Sequence, residues 1–211
     1  MNRRRLLNEI YRLLYAEYGD CSCPLEHASP FQLLAAVMLS AQCRDERVNL
    51  VTKELFGTAP DAAAMAALTP DEIETIIRPC GLAGAKSRNL HAAAQMVCKK
   101  FSGRVPETME ELIQLPGIGR KSANVLLGNA FGKPGFPVDT HVQRLLRRLG
   151  AVDGRTPEAI EREVNEAVAP ELWCNFSHLL IRHGRRVCGA RKPQCGTCVL
   201  SRLCPEAAGK I

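Results

Sequence analysis

Lys121 stands where a helix gives a cation least support. The stretch LPGIGRKSANVLLGNAFG, Leu115 to Gly132, places two glycines two apart, then Arg120 and Lys121, then an apolar helix. The positive end of a helix dipole lies at that first turn and disfavours positive charge. Two chemistries fit a lysine held there. One is a nucleophilic amine that forms a Schiff base. The other is a second cation for a phosphate. The preceding residues favour an anion nearby. Pro116 stops the first helix, and Gly117 and Gly119 let the backbone turn tightly and approach a ligand. The next helix opens with unpaired N–H groups, which suit phosphate. The segment therefore reads as a helix-hairpin-helix that grips a nucleic-acid backbone without reading sequence. The alternative is a plain αα-hairpin whose glycines serve geometry alone.

A second constellation lies near the C-terminus. Cys188, Cys195, Cys198 and Cys204 are spaced C-x6-C-x2-C-x5-C, and Pro205 follows at once. Four thiols in so short a span mean a metal or an iron–sulfur cluster. Structural zinc normally uses two closely spaced pairs, and only one C-x2-C pair is present. A closing Cys-Pro also occurs in ferredoxin-type motifs, so the spacing favours a [4Fe–4S] cluster. The other six cysteines, including Cys21 and Cys23, lack ligand spacing and read as buried or partly buried thiols.

The elements that position these groups read as helices throughout. Leu6, Ile10, Leu13 and Leu14 recur at helical spacing, and Asn8, Glu9 and Arg12 break up any signal-peptide core. Ser29-Pro-Phe-Gln32, Thr69-Pro-Asp-Glu72 and Thr108 with Glu111 are capping boxes, the first two with Pro at the first helical position. Further helices are expected from about Gly84, from Thr140 and from Thr156. No alternating run is bounded by hairpin residues, so the class is all-α, with some nine or ten helices. The densest Gly/Pro cluster, Phe131 to Asp139, is the candidate hinge. Residues 22–132 then form one domain, and residues 1–21 with 133–211 the other.

Composition adds a partner class. Apolar residues make up 46%, enough for a sizeable core in 211 residues. Lys plus Arg is 28 against 22 for Asp plus Glu, a formal charge of +6 that favours a polyanion. Arg182, Arg185, Arg186, Arg191, Lys192 and Arg202 form a C-terminal block with no acid among them, a candidate footprint for phosphates. No run reaches the length of a membrane span. The expected setting is the reducing cytoplasm, at the nucleoid if the partner is DNA, with the ten cysteines unpaired.

Taken together, LPGIGRKSANVLL, VDTHVQRLLRRLG, LSAQCRDERVN and the cysteine pattern resemble the endonuclease III family of DNA base-excision glycosylases and AP lyases. The resemblance runs from about Leu6 to Cys204. It implies two helical domains, a six-helix barrel with the helix-hairpin-helix and a [4Fe–4S] domain, with double-stranded DNA in the cleft between them. It implies a monomer that removes oxidised pyrimidines through a lysine Schiff base and nicks 3′ to the abasic site by β-elimination. Carried over, the catalytic lysine is Lys121 and the catalytic aspartate is Asp139, which by type and position also suits a helix N-cap. Gln42 fills the hole left by the flipped base, Leu82 wedges the opposite strand, and Asp45 lines the pocket. Gly117, Gly119, Arg120 and His141 face the DNA. The branch that removes adenine from mismatches lacks the lysine and has an added C-terminal domain. Lys121 is present and the chain ends seven residues after Cys204, both against that branch.

Overall fold

The computed structural model of the chain describes residues 2–208. Among them there are eleven α-helices, five short 3-10 turns and no strand. The chain forms two compact units, one from Cys23 to Gly132 and one from the residues up to Ser22 together with those from Lys133 on. Ser22, expected in the first domain, belongs to the second unit.

The Cys23–Gly132 unit holds α2 (Pro30–Leu39), α3 (Asp45–Thr58), α4 (Ala62–Ala67), α5 (Pro70–Ile77), α6 (Ala83–Lys100), α7 (Met109–Leu112) and α8 (Arg120–Phe131). Helix α2 is its axis: every residue from Leu33 to Leu39 is buried, as is Phe31. A helix apolar all round belongs inside a core, and α3, α6 and α8 pack against it. Truncating a fully buried leucine there, such as Leu34, costs about 2–5 kcal/mol because the cavity collapses only in part.

The caps differ in completeness. Thr69 and Glu72 form the full reciprocal box before α5. Ser29 accepts from Gln32 N, but the Gln32 amide reaches one residue further back, to Ala28 N at 2.9 Å. Thr108 accepts from Glu111 N, while the Glu111 carboxylate takes the Thr108 hydroxyl at 2.8 Å rather than the backbone. Two of the three expected boxes are thus one-sided.

The other unit holds α1 (Arg3–Tyr18), α9 (Thr140–Arg148), α10 (Pro157–Asn165) and α11 (Trp173–Arg186). Leu7, Ile10 and Leu14 of α1 are buried, as the spacing predicts. They join Phe136, Leu145, Leu146, Phe176 and Leu180 in one core. The Tyr11 and Phe136 rings both lie against Phe176, at 5.7 and 5.8 Å between centroids. After α11 the chain passes Cys188 and runs through 3-10 turns at Cys195–Thr197, Ser201–Leu203 and Pro205–Ala207; Cys195 opens the first, and Cys198 and Cys204 follow the first and second. Leu200 anchors this tail in the core at 2% exposure.

Candidate active site and cysteine cluster

The hairpin between α7 and α8 is built as its residue types require. Leu115 and Ile118 point inward, and Ile118 N donates to Leu115 O at 3.0 Å, closing the turn. Gly117 has φ +81°, and a Cβ there would meet Met38 Cε at 3.0 Å and Asn89 Cβ at 3.1 Å. Both the backbone and the space demand glycine. Gly119, the N-cap of α8, has φ −98° and faces open space. No side chain caps α8. Its first N–H groups, its dipole and the exposed Arg120 and Lys121 thus share one surface. Lys121 is the second residue of the helix.

Two further segments of the same unit carry residues singled out by resemblance. After α2, Gln42 is exposed at φ +54°. Before α6, Leu82 is 59% exposed at φ +51°. Non-glycine residues with such φ are uncommon and mark strained turns. Asp45 is half-buried and opens α3, in its acidic first turn.

In the other unit Asp139 caps α9. Its Oδ1 accepts from His141 N at 2.8 Å and Val142 N at 2.9 Å. The carboxylate is thereby fixed while half-buried. His141 is also half-buried, with Arg144 Nη2 3.0 Å from its Nδ1. Burial lowers the pKa of His141, and Asp139 acts in the opposite direction. Gly184 on α11 allows this approach, since a Cβ there would sit 3.0 Å from His141.

The four cysteines surround a single cavity of ≈ 340 Å³, counting its part open to solvent. Two arginines one turn apart on α9 tie down the first of them. Arg144 donates to Cys188 O at 2.9 Å, and Arg148 reaches Cys188 Sγ at 3.4 Å and Gly189 O at 2.9 Å. From α11, His183 Nε2 lies 3.3 Å from Cys198 Sγ, and its Nδ1 meets the Tyr18 hydroxyl at 2.9 Å. His183 is 1% exposed, and burial pushes it down to about 4, so its imidazole is neutral at pH 7. Arg182 and Arg186 lie over the Tyr18 ring at 5.4 and 5.9 Å, so part of the basic block packs on an aromatic face. Among the described residues, no group of three or more His, Cys, Asp or Glu is disposed to hold a single metal ion. None of the other six cysteines forms a disulfide; Cys80 is buried and the remainder are half-buried.

Arg144, Arg148, Tyr18 and His183 carry much of this geometry and escape a reading of the sequence. The one available signal is the i, i+4 spacing of Arg144 and Arg148 on α9. Tyr18 and His183 are 165 positions apart, and nothing in the sequence pairs them.

Residues 35–170 match the model of the HhH-GPD superfamily base excision DNA repair proteins. Endonuclease III of Synechocystis sp. is 46% identical over 207 residues, covering 98% of this chain and 94% of that protein. A solved structure of a non-covalent endonuclease III–DNA complex superposes with a TM-score of 0.93 at 38% identity, covering 100% of this chain and 99% of that one. A trapped endonuclease III–DNA covalent intermediate, the estranged-adenine complex, gives the same TM-score, identity and coverage. The chain belongs to the HhH-GPD superfamily and, within it, to the endonuclease III family, the bifunctional DNA glycosylases and AP lyases of base excision repair.

Proposed function

We propose that Lys121 is the nucleophile of this glycosylase and lyase, and that its substrates are oxidised pyrimidines in double-stranded DNA. The observation that carries this reading is an exposed lysine on the first turn of α8, directly after a hairpin whose open N–H groups suit a phosphate. The covalent endonuclease III–DNA intermediate of similar fold supports it. The target nucleotide must leave the base stack before its sugar can react. The Lys121 amine then attacks C1′ as the C1′–N bond breaks and the base departs. Loss of a proton from nitrogen and opening of the sugar give a Schiff base. Loss of the C2′ proton expels the 3′ phosphate, and water releases the lysine. Cleavage of a duplex carrying one thymine glycol, with a 3′ unsaturated aldehyde as product, tests the assignment. The enzyme acts as a monomer, and DNA as substrate puts its work at the nucleoid.

Asp139 assists by accepting a proton or by stabilising positive charge that develops on the sugar. Its two backbone hydrogen bonds hold the carboxylate in one orientation. Asp139→Asn retains an N-cap acceptor, so stability changes little. Single-turnover cleavage slows by about 10²–10⁴, the usual loss for a proton-transfer group. A variant equally slow but half unfolded in its far-ultraviolet spectrum would assign the residue to the cap alone.

The hairpin grips phosphate through α8, and His141 adds a contact from its own unit. Gly119 tests the grip better than Gly117, where any side chain meets Met38 and Asn89. Gly119→Asp projects into open space and provides an N-cap, so the fold gains a few tenths of a kcal/mol. Its carboxylate repels a phosphate. Affinity falls equally for undamaged and abasic duplex, because phosphate contacts position without specifying. Fluorescence anisotropy measures this, and undiminished affinity would remove the hairpin from the interface. Gln42 fills the vacated stack, Leu82 wedges the opposite strand, and Asp45 lines the base pocket.

Cys188, Cys195, Cys198 and Cys204 hold a [4Fe–4S] cluster. The support is the donor set: four thiols round one cavity, with Arg148 and His183 approaching two of the sulfurs. Such contacts orient ligands and offset thiolate charge. When bound, the cluster supplies four iron–thiolate bonds that fold the C-terminal tail.

A further inference from the structure

Lys86 is 6% exposed, and the mechanism above does not use it. It lies in the first turn of α6, where the dipole opposes its charge. Burying an ammonium is costly unless its donors are satisfied. Two of its three N–H donors go to backbone carbonyls, with Nζ donating to Leu39 O at 2.8 Å and to Cys80 O at 2.9 Å. Those carbonyls belong to different segments. Leu39 ends α2, three residues before Gln42. Cys80 ends the 3-10 turn Arg78–Cys80, two residues before Leu82. Both tips have positive φ without being glycine, a conformation that persists only where the surroundings hold it. The Lys86 backbone N also donates to Leu82 O at 3.0 Å, so one residue brackets Leu82 from both sides. The thiols of Cys43 and Cys80, which flank the two tips, neighbour one another at the same junction.

We propose that Lys86 is a positioning residue for base extrusion: a single buried ammonium clamps together the two segments that carry Gln42 and Leu82. It sets the spacing of the plug and the wedge before DNA arrives. The proposal rests on the reading of those two residues as DNA probes. Burial pushes the Lys86 ammonium below the ordinary lysine range, and the two carbonyl acceptors favour its charged form.

The test separates extrusion from the later chemistry. A duplex carries a non-cleavable 2′-fluoro thymine glycol beside 2-aminopurine, whose fluorescence rises as its neighbour leaves the stack. Lys86→Met keeps the aliphatic stem and removes the donors. The fluorescence rise and the single-turnover excision of thymine glycol are expected to drop by about 10²-fold, as for a misplacement of about 1 Å. Nicking of a preformed abasic site, which has no base to expel, stays near the wild-type rate. Lys86→Arg restores cationic donors and recovers most of the fluorescence rise. If Lys86→Met does not fold, Lys86→Gln takes its place, because its amide is too short to span both carbonyls. A folded Met or Gln variant that extrudes and excises like wild type overturns the clamp. Equal losses on thymine glycol and on the abasic site also overturn it, since a general defect moves both. Gln42→Ala and Leu82→Ala are measured alongside. If they lose extrusion while the Lys86 variants do not, the clamp alone fails. If they extrude normally, the reading of the two loops as probes fails, and the clamp with it.

Discussion

Lys121→Gln abolishes excision and strand nicking while damaged duplex is still bound. Glutamine keeps most of the length and polarity of lysine but has no nucleophilic amine. The hairpin around it depends on buried Leu115 and Ile118 and on the two glycines, while Lys121 is exposed, so the fold is retained. The N–H groups of α8 remain open to phosphate. Single-turnover cleavage is expected to fall by about 10⁴–10⁶, the scale seen when a covalent nucleophile is removed. Gel-shift affinity for a thymine-glycol duplex changes little, because one exposed cation among several is lost. A variant that loses binding and cleavage in parallel would make Lys121 a phosphate contact.

Cys198→Ser empties the cluster. Cys198 follows the Cys195–Thr197 turn, and Leu200 and Leu203 beyond it pack into the core of that unit. The tail between Cys188 and Pro205 has only 3-10 turns and scattered hydrogen bonds of its own. Without metal–thiolate bonds that length of chain lacks the apolar burial to offset its ordering entropy. The wild-type protein is expected to be brown with about four iron and four sulfide per chain, and the variant colourless with little of either and a poor soluble yield. The loss also leaves His183 without its sulfur partner. Stoichiometric zinc without sulfide in anaerobically purified wild-type protein would contradict the assignment.

Local rules carry much of the fold. Helices α2, α5, α7 and α10 start at a Ser or Thr cap that the sequence displays, three of them with Pro next. Asp139 is visible as a cap because residue type and position suffice. Helices without such marks are harder to read. Helix α3 begins after Arg44, which makes no side-chain cap, and α11 grows out of a 3-10 turn at Leu172. With α4 (Ala62–Ala67), they complete the eleven helices among the described residues. Of the site, the hairpin and the cysteines are legible because each is compact in sequence and built from residue types with few other uses. Lys86 is not, since its partners Leu39 and Cys80 are backbone carbonyls that any residue could supply. The Tyr18–His183–Cys198 chain is hidden for a related reason: tertiary packing alone joins α1 to α11.

The most direct measurement of the central claim is the site of covalent attachment. A Schiff base between lysine and the opened sugar is reduced by borohydride to a stable amine. Wild-type protein is incubated with thymine-glycol duplex and borohydride, the adduct is digested with trypsin, and the DNA-bearing peptide is sequenced. Cleavage after Arg120, blocked cleavage at a modified Lys121 and the resistance of the Lys133–Pro134 bond to trypsin give KSANVLLGNAFGKPGFPVDTHVQR, ending at Arg144. The expected result is that peptide, with the nucleotide on its first residue and no adduct from Lys121→Gln. Attachment at the N-terminal amine or at any other lysine, with Lys121→Gln trapping like wild type, would contradict it.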